Sequence, residues 1–130
     1  MKVRSGFVAN SSSTCFIIGC VESLESTLDI EKMGVNVDGL MSRWAGEIAG
    51  IILGNSEEMN QQDLLDEFAY EGAANKDAID AFCAANRHVY KVEFPKNLDT
   101  AQDKMALEML DDEEFRKYLG IDLWMRYVDN

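Results

Sequence analysis

Cysteine, proline, histidine and positive charge are all scarce in this sequence, and each shortage excludes something. Three cysteines in 130 residues do not make the even, dense framework of a small disulfide-bonded domain, so a reducing cytoplasm is the expected setting. A single proline, Pro95, and no Ser/Gly/Pro-rich linker leave no domain boundary, and no internal repeat is visible, so one domain over 1–130 is expected. No charged, then apolar, then small-residue leader opens the chain. The longest apolar stretch, Trp44 to Gly54, is interrupted by Glu47 and falls far below the roughly 20 residues that span a bilayer. Lys and Arg number 12 against 24 Asp and Glu, for a net charge of −12 and a pI near 4.3. That balance excludes a broad phosphate-binding surface, because nucleic-acid affinity comes largely from Lys and Arg neutralising phosphates, and it excludes docking on anionic lipid.

What is present suits a folded domain. The hydrophobic content of 47% is ordinary, and a chain of this length buries roughly two thirds of the surface it exposes when unfolded. The charge is unevenly distributed. The first 20 residues, a serine-rich lead-in and the expected first strand, carry only Lys2 and Arg4, for +2, and the remaining 110 carry −14.

Thr14 to Val21 is short, apolar and rich in β-branched and aromatic residues, which predicts a buried strand. Ser23 and Ser26, followed by Leu28, Ile30, Met33 and Gly34, predict a short helix. Asp38 caps the next predicted helix, in which Leu40, Met41, Trp44, Ile48, Ile51 and Ile52 recur at helical spacing until Gly54. Gly46, Gly50 and Gly54 share one face of it. Each interior glycine costs about 1 kcal/mol relative to alanine, so close packing against a neighbouring helix of the same domain is expected, with a homodimer seam as the alternative. Asn60 caps a predicted helix to Glu71, and another runs from Lys76 to Arg87. His88 to Phe94 alternates strictly, with Val89, Lys91 and Glu93 on one side and Tyr90, Val92 and Phe94 on the other, which predicts a strand. Helices over Asp99 to Leu110 and Asp112 to Leu119 and a last strand over Ile121 to Val128 complete the order. The expected fold class is α+β: a small, largely antiparallel three-stranded sheet with helices on one face.

The opening MKVRSGFVANSSSTCFIIG carries Arg4, Gly6, Phe7, Val8, Asn10, Ser11, Ser12, Ser13 and Phe16 in the pattern R-x-G-F-V-x-N-S-S-S-x-x-F. It resembles short N-terminal segments of uncharacterised proteins of bacteria and their phages. Ala9, Thr14 and Cys15 depart from the usual, more serine-rich form. The resemblance covers about the first 19 residues and implies a bacterial or phage setting, with no activity attached. On physical grounds the hydroxyls and Asn10 hold a tight turn before the strand. The sharper reading of the same residues is an anion-binding turn made by Arg4, Asn10, Ser11, Ser12 and Ser13, although the Gly-Lys-Ser/Thr ending of a phosphate loop is missing.

Cys15/Cys20 and Cys83/His88 are formally the C-x4-C and C-x4-H halves of a zinc site. Residues five apart on a strand point to opposite faces and lie about 16 Å from each other, too far for a shared metal. Neither a metal nor any other cofactor is expected. His88, the only histidine, would have to serve any acid–base chemistry near neutral pH, with Ser11 to Ser13 as nucleophiles, but no Gly-x-Ser-x-Gly elbow and no third member is present, and no catalytic residue is assigned.

The acids are distinctive by position. Asn55 to Asp80 holds Glu57, Glu58, Asp63, Asp66, Glu67, Glu71, Asp77 and Asp80 against Lys76 alone, a local charge of −7. A second group is Glu108, Asp111, Asp112, Glu113 and Glu114. Asp63, Glu67 and Glu71, four apart on a helix, form a stripe with about 5–6 Å between neighbouring Cβ atoms, comparable to successive phosphates on one strand of nucleic acid. Such a face also serves solubility. The function expected is a non-enzymatic binding protein, phage-encoded, that inhibits or modulates a host protein with a basic surface, in the form of nucleic-acid mimicry or anti-defence. Asp63, Asp66, Glu67 and Glu71 are the expected contacts, and Asp111, Asp112, Glu113 and Glu114 a second set. Two alternatives stand beside it: an assembly protein that oligomerises through the glycine-lined helix, and a small enzyme or nucleotide-binding module that uses the Asn10 to Thr14 turn and His88.

Overall fold

The apolar run after the serines becomes the central strand of the sheet. A computed structural model describes residues 13–29, 39–68 and 73–129. Along them lie β1 (Ser13–Cys20), α1 (Leu24–Thr27), α2 (Gly39–Gly54), β2 (Ser56–Met59), α3 (Gln61–Phe68), α4 (Ala73–Ala85), β3 (His88–Pro95), α5 (Ala101–Asp111), α6 (Glu113–Leu119) and β4 (Asp122–Asp129). The sheet is antiparallel in the order β2-β3-β1-β4. β1 sets Ser13 against Pro95 and Cys20 against His88. On its other side it pairs with β4, with a register shift between Ile17 and Ile18.

Two sequence expectations are corrected by this arrangement. The sheet has four strands, not three. The added strand β2 reads Ser-Glu-Glu-Met, and it forms because β3 offers it a pairing edge, Glu57 opposite Lys91 and Met59 opposite Val89. Helices cover both faces, not one. β1 is apolar in both parities, and a strand buried on both sides reads as a continuous apolar run rather than an alternation. Phe16, Ile18 and Cys20, with Tyr90, Val92 and Phe94, meet Leu24, Ile48, Ile52, Ala106, Leu110 and Leu119 from α1, α2, α5 and α6. Ile17, Val89 and Met59 meet Leu64, Ile79 and Phe82 from α3 and α4 on the reverse. Each large side chain fully buried in these layers is worth roughly 1.5–3 kcal/mol of transfer free energy.

Local chemistry fixes the helix ends. Ser23 caps α1 by accepting from the Ser26 amide at 3.2 Å, and the Tyr90 hydroxyl accepts from the Leu24 amide at 2.9 Å. The predicted continuation of α1 through Met33 does not occur within the described residues, because the helix ends at Thr27; Ile30 to Asp38 lie outside them. Thr100 and Asp103 form a reciprocal capping box at α5, and Asp112 caps α6. Gly120 ends α6 at φ 81°, a left-handed conformation that favours glycine. Within β1, a Cβ on Gly19 would lie 2.7 Å from Asn86 Cβ and Nδ2, so only glycine lets this buried asparagine approach the strand. From there the Asn86 amide donates to the Phe82 carbonyl and to Asp122, both at 3.1 Å, tying the end of α4 to the start of β4.

Candidate acidic groove

Glu57 of β2 and Glu93 of β3 project from the same face of the sheet as Lys91, the cross-strand partner of Glu57. α3 runs beside them and adds Asp63, Asp66 and Glu67. Together with Met59 these residues bound an open groove of 440 Å³. A second concavity of 290 Å³ continues it past Gly54, Asn55 and Ser56 to Ser13 and Pro95, and the two share Glu57, Lys91 and Glu93. Lys91, its side chain 13% exposed, lies 3.6 Å from Glu67. The five carboxylates of the larger concavity outnumber this one ammonium, and the groove is strongly negative at neutral pH.

The expected contacts divide in two. Asp63 is tied into a reciprocal cap at the start of α3: its Oδ2 accepts from the Asn60 amide at 3.0 Å, while its own amide donates to Asn60 Oδ1 at 2.8 Å. Asp66 accepts from Gln62 Nε2 at 2.8 Å. Both remain exposed on the groove wall. Glu71 lies outside the described residues. The second set stands on α5 and α6, across the sheet from the groove, so the two acidic groups do not form one surface. There Asp111 pairs with Arg126 Nε at 2.9 Å, and the Arg126 guanidinium lies 5.7 Å from the centroid of Phe16. Asp112 Oδ1 accepts from the Glu114 and Phe115 amides at 2.9 and 3.4 Å. Glu113 pairs with Lys117 at 3.0 Å, and that contact holds its carboxyl below the usual range. Glu114 is exposed in the first turn of α6.

No protein family, curated protein or solved structure matches this chain.

Of the proposed anion-binding turn, Arg4, Asn10, Ser11 and Ser12 lie outside the described residues, and Ser13 is the first residue of β1, 2% exposed. Ser13 and His88 stand at opposite ends of the β1/β3 pair, seven residues or about 23 Å apart along the strand. The imidazole Nδ1 of His88 instead meets Glu58 Oε2 at 2.9 Å. The zinc halves are likewise separated. Cys15 and Cys20 have opposite parity on β1, and Cys83 packs against the α3/α4 layer while His88 projects to the other face with Tyr90. No disulfide joins the three cysteines. Burial pushes the Cys20 and Cys83 thiols up from their ordinary value, which disfavours the reactive thiolate.

The glycine face of α2 also departs from expectation. Among the described residues, a Cβ on Gly50 or Gly54 would meet nothing within 4 Å, so the close helix contact expected of this face is not seen there at these two positions. Gly46 and Gly50 instead line an open groove with Leu28, Ala49 and Leu53. Sequence reasoning missed Glu57, Glu93 and Lys91 as groove residues. The alternation of β3 already put Lys91 and Glu93 on one side; the unread strand β2 was what would have placed Glu57 opposite them.

Proposed function

We propose that this chain is a non-enzymatic binding protein whose acidic groove docks a basic segment of a partner protein. The observation that supports this most directly is the convergence of Glu57, Asp63, Asp66, Glu67 and Glu93 on one concavity, from three elements, around a single lysine. Like charges brought this close oppose folding, and a basic partner would relieve that repulsion. Asp63 and Glu67, four apart on α3, give the reading its mimicry form, and the resemblance of the first 19 residues suggests a phage-encoded modulator of a host protein as its setting. The groove, not the α5/α6 corner, is taken as the docking face, because its five carboxylates line one concavity.

A decalysine peptide tests the reading. Fluorescence anisotropy at low and physiological salt should show binding that weakens with salt, since exposed charges are screened beyond about 8 Å at 0.15 M. Glu57→Lys with Asp66→Lys removes charge from the groove without touching the Asn60–Asp63 cap and should weaken binding roughly tenfold or more. Glu113→Lys with Glu114→Lys, an equal change of charge on the other side of the sheet, should leave most of it. Equal losses from the two pairs would reduce the effect to net charge and overturn the reading.

The open glycine face supports a second reading, assembly through α2. Gly50→Leu would then change the mass measured by light scattering.

A further inference from the structure

β2 stands at the edge of the sheet, and among the described residues no strand lies outside it. Its hydrogen bonds to β3 alternate. The Glu93 amide donates to the Asn55 carbonyl at 3.0 Å, and that pair is in register with Glu57 opposite Lys91 and Met59 opposite Val89. In an antiparallel ladder the bonded pairs recur at every second residue, so Glu57 and Met59 turn their peptide groups toward β3, and Ser56 and Glu58 turn theirs away from it. The outer side of β2 therefore offers the amides and carbonyls of Ser56 and Glu58 to an added strand. Both faces of that edge are open, because the side chains of Glu57 and Glu58 are exposed.

Charge selects the occupant. Glu57 points into the groove, whereas Glu58, opposite Tyr90, points to the other face and meets His88 Nδ1 at 2.9 Å. A second copy of β2, paired antiparallel with like faces together, would set Glu57 against Glu57 or Glu58 against Glu58 in the two registers of greatest overlap. Like charges directly opposite destabilise a sheet. A strand with basic residues at two consecutive positions presents one to each face and meets both glutamates. β4, the other edge, has no such pair of acids: Asp122 and Asp129 stand at its ends, with Arg126 between them.

We infer that the partner segment docks as an added strand on the outer edge of β2, in extended form, with two consecutive basic residues opposite Glu57 and Glu58. Main-chain bonds to Ser56 and Glu58 hold it, and the two glutamates select it. This mode rests on the docking reading and adds to it the conformation and the sequence pattern of the partner.

Hydrogen exchange followed by NMR on the full chain tests it, with two end-blocked hexapeptides of one composition as probes. Thr-Val-Lys-Lys-Val-Thr has consecutive lysines, and Thr-Lys-Val-Lys-Val-Thr has both lysines on one face. At saturation the first peptide should slow exchange of the Ser56 and Glu58 amides about tenfold or more, and leave Glu57 and Met59, already bonded to β3, within about twofold. In a Glu58→Lys variant the first peptide should bind about tenfold more weakly, and the second, whose lysines both face the groove, nearly as before. Binding of the first peptide while Ser56 and Glu58 exchange at their free rates overturns the inference and leaves groove docking standing, and so does an equal loss of both peptides in Glu58→Lys. Protection of these two amides in the free protein that fades on dilution makes a second copy the occupant and overturns it as well. If neither decalysine nor either hexapeptide binds, the docking reading falls with it.

Discussion

At the scale of single residues, two glycines make opposite predictions from the same substitution. Gly19 faces Asn86 so closely that a methyl must displace a side chain whose amide nitrogen donates two hydrogen bonds. Gly19→Ala should therefore destabilise the fold by about 1–3 kcal/mol, as overpacking does. Gly50 is exposed, inside a helix, with open space where its Cβ would be. Gly50→Ala should stabilise by about 0.5–1 kcal/mol through helix propensity. Urea midpoints of the two variants check the pair, and a destabilising Gly50→Ala would mean that the face is occupied. Burial also makes a pH prediction. It raises the Cys20 thiol above 9.0, against an opposing hydrogen bond with Thr27, and raises the Tyr90 hydroxyl above 10.0. The folded chain holds these protons after the unfolded chain has lost them, so their stabilisation is complete below about pH 9 and declines as pH rises further. Unfolding measured from about pH 8 to about pH 10.5 should show this slope, and Cys20→Ala should flatten its lower part.

Among the elements, those whose ends carry their own chemistry were legible. Asp112 shows it: the residue opens the predicted final helix in the sequence and caps α6 in the structure. Asp112→Ala should cost about 1 kcal/mol, and a thermal midpoint unchanged by the substitution would show that the cap contributes nothing. The strict alternation of β3 likewise placed Tyr90, Val92 and Phe94 in one layer and Val89 in the other. β2 was not legible, because two glutamates in four residues give no apolar pattern. Its pairing with β3 is tertiary, and without it Glu57 stays a loop acid instead of a groove wall. The two-sided cover of the sheet was present in the sequence as the unbroken apolar run Cys15 to Cys20 but takes on meaning only once β1 is known to be central. Asp63 illustrates the limit for sites: in the sequence it belongs to an acidic stripe, and in the fold it is also half of a helix cap.

For the whole molecule, charge decides how stability responds to salt. A chain at −12 repels itself, and the ion pairs among the described residues are mostly exposed, such as Lys76 with Asp80 and Lys117 with Glu113, so water and salt leave them little attraction to lose. Screening therefore removes more repulsion than attraction. The Debye length falls from about 30 Å at 0.01 M to about 3 Å at 1 M, from the width of the domain to a single contact. The thermal midpoint should rise with sodium chloride over that range, most steeply at the low end. Glu57→Lys with Asp66→Lys brings the net charge to about −8, each reversal changing it by two. The variant should start from a higher midpoint at low salt and rise less, while binding decalysine more weakly. Gain of stability with loss of binding is the signature of a groove held at a folding cost for the sake of a partner; if the variant instead loses stability at every salt concentration, the carboxylates are stabilising one another's surroundings and the groove is structural.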